Sequence, residues 1–336
     1  MMMKNETPKN GPRTEYHKNG QKLTEENYKD GKLNGKWTWW YENGQISNKG
    51  NYKDGKRDGK QTDYYKNGQI REERNLKDGN SEGKSTNWYA NGQIETEKNW
   101  KDSNLEGKQN AWHENGQIRE ERNFKDGNAE GKSTKWHANG QIEIEGNCIN
   151  NRPIGKLNSF YENGLKKLEM NFKDGKRDGK ETVWYEYGQI KEERNHKNDK
   201  LDGKQTWWYE YGQKRREANY KNGKLNGRTI NGWYENGQIK EERNYKNNRI
   251  HTNWTWWREN GTKHSEMYYI DGMKSLKWTW WYENGQKEGE HHFKGFDYGT
   301  RDGRSTNWDE NGQIEAVAIF KDDECISGDY DYFKDL

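Results

Sequence analysis

Residues 35–54 read GKWTWWYENGQISNKGNYKD, and Asp54-Gly55 then leads to Gly59, where a related stretch begins. Two runs of Trp, Tyr, Thr and Ile are cut by Asn43-Gly44 and again by Asp54-Gly55. Asn-Gly and Asp-Gly between such runs are the strongest short-range hairpin signals, and interruptions this frequent leave no room for a packed helix. Each stretch therefore reads as two strands and two turns. Asn-Gly is expected to supply both positive-φ residues of a type I′ turn.

Outward from this stretch, the turn glycine recurs at Gly20, Gly44, Gly68, Gly92, Gly116, Gly140, Gly164, Gly188, Gly212, Gly237, Gly261, Gly285 and Gly312. The spacing is 24 residues, with a single 25 and a single 27. Thirteen units imply about 26 strands, which at ~4.8 Å per strand extend roughly 125 Å. The expected fold class is all-β, an elongated single-layer antiparallel β-meander of about thirteen 24-residue hairpin repeats. Residues 1–12 read as a flexible N-terminal segment, 13–320 as the repeats, and 321–336 as an acidic and aromatic tail behind an aliphatic closing strand at 314–320.

Composition says what holds such a chain together. Of 336 residues only 27% are hydrophobic and 34% are charged, which excludes a deep aliphatic core; yet 18 Trp, 21 Tyr and 7 Phe separate the chain from disordered sequences. Four residues before the turn glycine stand Tyr16, Trp40, Tyr64, Trp88, Trp112, Trp136, Phe160, Trp184, Trp208, Trp233, Trp257, Trp281 and Trp308. The next column holds mostly tyrosine, with His17, His113 and His137 as ring substitutes. These columns are expected to form structural ladders, each ring covering its neighbour. Two-residue turns without bulges would place Tyr41 opposite Ile46 and pair Glu25 with Lys36, Glu73 with Lys84, Glu97 with Lys108, Glu121 with Lys132 and Glu193 with Lys204.

Several chemistries fall away. Gly83-Lys84-Ser85-Thr86 and Gly131-Lys132-Ser133-Thr134 lack the glycine spacing and the following helix of a phosphate loop. His113 and His137 lie two strands apart, about 10 Å, too far to share a metal. His291 and His292 are adjacent in a strand and point to opposite faces, and Cys148 replaces an aromatic as a small core residue. No catalytic, cofactor or metal residue is expected, and the chain does not read as an enzyme. A net charge of +3 disfavours nucleic acid as a partner. Two cysteines, no apolar leader and no membrane-length apolar run lead to the expectation of a cytoplasmic protein.

The pattern Tyr-x-Asn-Gly-Gln-Ile, then Glu-x-Asn-Tyr-Lys-Asp-Gly-Lys, then Gly-Lys-x-Thr-x-Trp-Tyr resembles the MORN-variant repeat of bacterial proteins labelled as YwqK-family antitoxins. The resemblance covers residues 13 to about 320 and implies a scaffold, with a toxin as the partner to be neutralised. Departures fall where the second turn lacks Asp-Gly at 150–153, at Leu165 and Thr262 in place of Gln, and in an expansion at 296–300.

Columns constant in every unit are explained by folding, so binding is sought in those that vary. Seven and five residues before the glycine, three units carry paired tryptophans: Trp37 with Trp39, Trp254 with Trp256, and Trp278 with Trp280. The last four are expected to form a two-by-two partner-binding patch opposite the constant ladder. The expected function is a non-enzymatic scaffold binding a protein partner; a surface adhesion rod and attachment to anionic lipid through lysine rows are the alternatives.

Overall fold

The computed structural model describes residues 8–270, 275–295 and 300–334. These residues are all-β: an open antiparallel sheet of 33 strands built from hairpins, with one helical turn, α1 (Tyr330–Phe333). They divide into two compact units. The first runs to Lys166 and takes in Phe172–Gly175; the second holds Lys167–Asn171 and the chain from Lys176 onward. The strand Gly11–Tyr16 begins inside the segment read as loose, of which 1–7 lie outside the described residues, as do 296–299 of the expansion and 335–336 of the tail.

The Asn-Gly turn does not take the geometry expected of it. At Asn-Gly the left-handed φ falls on Gly44 alone (81°), and Gly44 N–H bonds the Tyr41 carbonyl at 2.9 Å. This is a type I turn closed by a left-handed glycine, with a bulge at Trp39/Trp40 that sets Trp40, not Tyr41, opposite Ile46. The type I′ turn sits instead at Asp-Gly, where Asp30 has φ 51° and Gly31 has φ 73°. Asn150-Asn151 takes the same conformation, φ 49° and 63°, so the missing glycine there leaves the turn intact. Aspartate and asparagine tolerate this region better than other residues with a β-carbon.

A second glycine then shifts the register. After the type I′ turn, Tyr28 faces Leu33, but Glu25 faces Thr38. The two extra residues are absorbed where Gly35 takes φ 98°. Such kinks cut off six two-residue strands, among them Lys32–Leu33 and Asn104–Leu105, which raises the strand number above the expected 26. The charge rows move with the register. Glu73 faces Thr86 rather than Lys84, and the lysines reach the next glutamate instead: Lys60–Glu73 at 2.7 Å, Lys84–Glu97 at 2.6 Å, Lys108–Glu121 at 2.7 Å and Lys180–Glu193 at 2.6 Å.

Successive hairpins are stitched by side chains of the turns. Tyr41 Oη donates to the Tyr64 carbonyl at 2.7 Å, Tyr65 Oη to Trp88 and Tyr89 Oη to Trp112, each 23 residues ahead. His113 Nε2 and His137 Nε2 make the same bond to Trp136 and Phe160, so a ring N–H serves where the hydroxyl is replaced. The turn asparagine works twice: Asn43 Nδ2 donates to the Lys66 carbonyl and its Oδ1 accepts Gln45 N–H. Along the other row, Glu82, Glu106 and Asp202 each accept the backbone N–H of the type I′ turn 20 residues on. Asp309 ends the tyrosine row, its carboxylate accepting N–H groups of its own turn.

The deepest positions are not the aromatic ladder. Trp40, Trp88, Trp112, Trp136, Trp184, Trp208, Trp233, Trp257, Trp281 and Trp308 are half-buried. Most of the buried polar residues lie seven and six before the turn glycine, among them Gln61, Ser85, Gln109, Glu181, Gln205 and Ser305, each followed by a buried threonine except at Gln109, which Asn110 follows. Gln205 shows why an amide belongs there. Its Oε1 accepts Asn195 N–H at 2.9 Å and its Nε2 donates to the Asn195 carbonyl at 3.1 Å, satisfying backbone groups where the glycine kink opens the ladder.

Candidate functional site

The paired tryptophans do not share one environment. Trp37 is buried, packed against Trp39 at 5.4 Å and Tyr52 at 5.9 Å with the Arg57 guanidinium 5.4 Å from its ring. Trp39 is the outer member, and its Nε1 donates to Glu26. Trp254 and Trp256 stack at 4.4 Å, and Trp278 and Trp280 lie 4.5 Å apart.

Register explains how these last four come together. Trp254 faces Met267, which faces Trp278; Trp256 faces Ser265, which faces Trp280. The two pairs therefore flank the strand Lys263–Ile270 on one face of the sheet. Ser265 is small and buried beneath them, while Met267, Tyr269, Leu276 and Phe293 form an apolar cluster against which Trp254, Trp256 and Trp278 pack. Trp254 is further fixed by a 2.7 Å bond from its Nε1 to Glu241 and by Arg243, whose guanidinium stands 3.7 Å from the ring centre. Burial works to lower the Arg243 pKa, but hydrogen bonds to Tyr245 and Glu241 and the nearby Glu241 charge together raise it, so its charge is held.

Trp280 opens onto a cleft. Gly289 lies opposite it in the sheet, and a β-carbon there would meet the indole at 3.2 Å; glycine lets the ring lie close to the strand. Its edge meets His291 at 5.0 Å and 70°. Beyond, α1 folds back and places Phe333, fully buried, against His291 at 5.6 Å and Phe320 at 6.0 Å. The space bounded by Trp278, Trp280, Phe293 and α1 measures about 690 Å³, the size of a small-molecule or side-chain site.

Polar groups ring this aromatic cleft. Burial lowers the His291 pKa below the usual histidine range, and its Nε2 meets Asn307 Oδ1 at 2.9 Å. Arg301 Nη1 donates to the Phe333 carbonyl at 2.7 Å, and Arg301 N–H donates to Asp323 Oδ1 at 2.6 Å. Lining charges balance, with Glu288 and Asp323 against Arg301 and Lys334. Among the described residues no group of three His, Cys, Asp or Glu is placed to hold a metal ion. Burial raises the Cys148 pKa, which disfavours its thiolate.

Sequence reasoning missed the groups contributed from behind the repeats. His291 and His292 point to opposite faces as adjacent strand residues do, and His291 lines the cleft. Phe333 lies in the stretch read as tail, which instead forms the strand Glu324–Gly328 and α1. The signal available was Tyr330, Tyr332 and Phe333, aromatics with no turn motif to explain them.

Eleven stretches of the chain match the MORN repeat variant: residues 9–30, 33–54, 57–78, 81–102, 105–126, 129–150, 177–198, 201–222, 232–247, 274–294 and 301–322. The unmatched stretches include the units with Leu165 and Thr262, where strands form nevertheless. No curated protein matches. Among solved structures, the chain is similar at 12% identity and TM-score 0.19 to one titled "Crystal Structure of TcdB2-TccC3-Cdc42", over 95% of this chain and 21% of that one. A second, "Crystal Structure of TcdB2-TccC3-TEV", matches at 11% identity and TM-score 0.17, over 92% of this chain and 18% of that one. The chain thus spans about a fifth of the length of either.

Proposed function

Because this chain belongs to the family of MORN repeat variants, we propose that it is a non-enzymatic scaffold whose repeats present one aromatic face to a protein partner. The observation carrying this reading is the apolar surface around Trp256, Trp278 and Trp280, beside a cleft of about 690 Å³, in a chain whose other enclosed positions are mostly amides and hydroxyls. Tryptophans in packed surroundings beside arginine are favoured binding anchors. The constant rows are already engaged in stitching hairpins, which leaves the varying column to discriminate between partners. Neutralising a toxin is the finer form of this reading, suggested by the repeat pattern.

The test uses the full chain as bait beside the double variant Trp256→Thr and Trp280→Thr. A partner retained by the first and lost by the second, with strand spectra unchanged, is the expected result. Equal capture by both would move the binding surface elsewhere, and loss of the strand spectrum in the variant would assign the rings to folding.

A further inference from the structure

The last residues of the described chain behave as a ligand of the cleft. A single helical turn has no stability of its own, and α1 exposes Tyr330 and Tyr332 to 53% and 45% while burying Phe333 completely. What holds it is external. Phe333 enters a slot edge-on to Phe320 (84°) and His291 (72°), Arg301 grips its carbonyl, Asp329 Oδ2 accepts Val317 N–H at 2.9 Å, and Tyr332 Oη donates to Glu315. The segment is joined to the sheet through Gly328 at φ 98°, where a β-carbon would sit 2.1 Å from the Val317 carbonyl oxygen. Glycine lets the backbone double back over the strand and hand Phe333 to the slot.

We propose that this slot, together with the open cleft leading to Trp280, recognises a peptide bearing an aromatic side chain, and that Tyr330–Phe333 occupies it in cis until such a peptide takes its place. The inference rests on the scaffold reading above and names the chemistry of the partner. Three features point to a peptide. The slot is walled by rings that meet an incoming ring edge-on, a favoured aromatic geometry. The Arg301 guanidinium lies where it receives the carbonyl of the residue carrying that ring. The balanced charges of the lining and the unfilled volume beside Phe333 suit the neutral backbone and flanking side chains of a longer segment than α1 supplies.

A tethered occupant competes at an effective concentration of the order of millimolar. The probe is an acetylated peptide of residues 327–334, SGDYDYFK, titrated calorimetrically into the full chain and into its Phe333→Ala variant. The variant, freed of its own occupant, is expected to bind at least about tenfold more tightly than the unmodified chain. The same peptide with alanine in place of phenylalanine is expected to lose binding. Equal affinities, or no binding by a folded variant, would overturn the proposal. Should Phe333→Ala fail to fold, hydrogen exchange of the unmodified chain decides: saturating peptide should speed exchange in 329–334, and unchanged exchange overturns the inference. A protein partner captured equally well by Phe333→Ala and the unmodified chain would preserve the scaffold reading while removing the slot.

Discussion

The repeats at 57–126 and those at 263–333 are drawn on the same grid but filled differently. In the first region the enclosed column carries Gln61, Ser85 and Gln109, and the buried side chains are almost all polar. In the second, Met267, Tyr269, Leu276 and Phe293 form one apolar cluster and Ala316, Ala318, Phe320 and Phe333 another. The same turns and ladder bonds bound both. Backbone pairing, left-handed turn residues and the rows of Tyr, Asn and acidic side chains are therefore what the repeat requires, while the interior is free to vary. Apolar filling is a local addition, and it coincides with the cleft.

The largest effect that sharpens this contrast is cavity formation. Leu276→Ala removes a fully buried side chain and should cost about 3 kcal/mol, read as loss of exchange protection across 263–294. Leu105→Ala, at a half-buried position in the polar-filled region, should cost under about 1 kcal/mol; equal losses would break the contrast. Denaturation is best followed repeat by repeat, because chains of this type need not unfold in one step.

A middle-sized effect tests the polar filling itself. Gln205→Ala leaves Asn195 N–H without its partner in an enclosed site, while the Asn195 carbonyl keeps the Asp202 N–H, and should cost about 2 kcal/mol. Gln205→Leu should not restore the loss, because shape without a hydrogen bond leaves the same N–H unpaired; full recovery would mean that apolar filling suffices there too.

Most of the grid was legible in the sequence, and the parts that were not share a cause. The period, the antiparallel hairpins and the replacement of tyrosine by His113 and His137 follow from residue type alone. Register did not, because it turns on φ at individual residues: Asn43 looked like a left-handed turn residue but serves through its side chain, while Gly35 looked incidental but displaces each Glu–Lys pair by a hairpin. The buried column was missed because amides there satisfy a gap in the ladder that only the kink creates. Of the six varying tryptophans, the sequence found the neighbours that pair Trp254 with Trp256 and Trp278 with Trp280, but not that Trp37 is buried or that Phe333 returns from beyond the repeats.

A smaller effect belongs to the stitching rows common to both regions. Tyr65→Phe removes the bond to the Trp88 carbonyl and should cost about 1 kcal/mol, confined to the adjoining turns in an exchange experiment. Tyr282→Phe, which loses the bond to Trp308, should cost about the same; a much larger loss there would mean that the rows also support the apolar filling.

The smallest expected effect is one of pH and separates the regions again. The folded-state pKa of His291 is depressed, so the unfolded chain binds the proton more readily. Its contribution to stability is complete above the ordinary value of about 6.5 and is lost as pH falls from there toward the folded pKa. Exchange in 329–334 should quicken at pH 5.5 relative to pH 7.5 after correction for intrinsic rates, and His291→Gln should remove that dependence. An equal response in 57–126 would show that it does not arise from His291.

Hydrogen exchange of the free chain, resolved by strand, tests the central claim most directly. If pairing and turn rows hold the repeats with little apolar interior, ladder amides at 59–64 and 70–77 are protected, as are those at 287–294 and 314–321. Amides in the polar-filled strands exchanging at unfolded rates while the apolar-filled strands stay closed would contradict it.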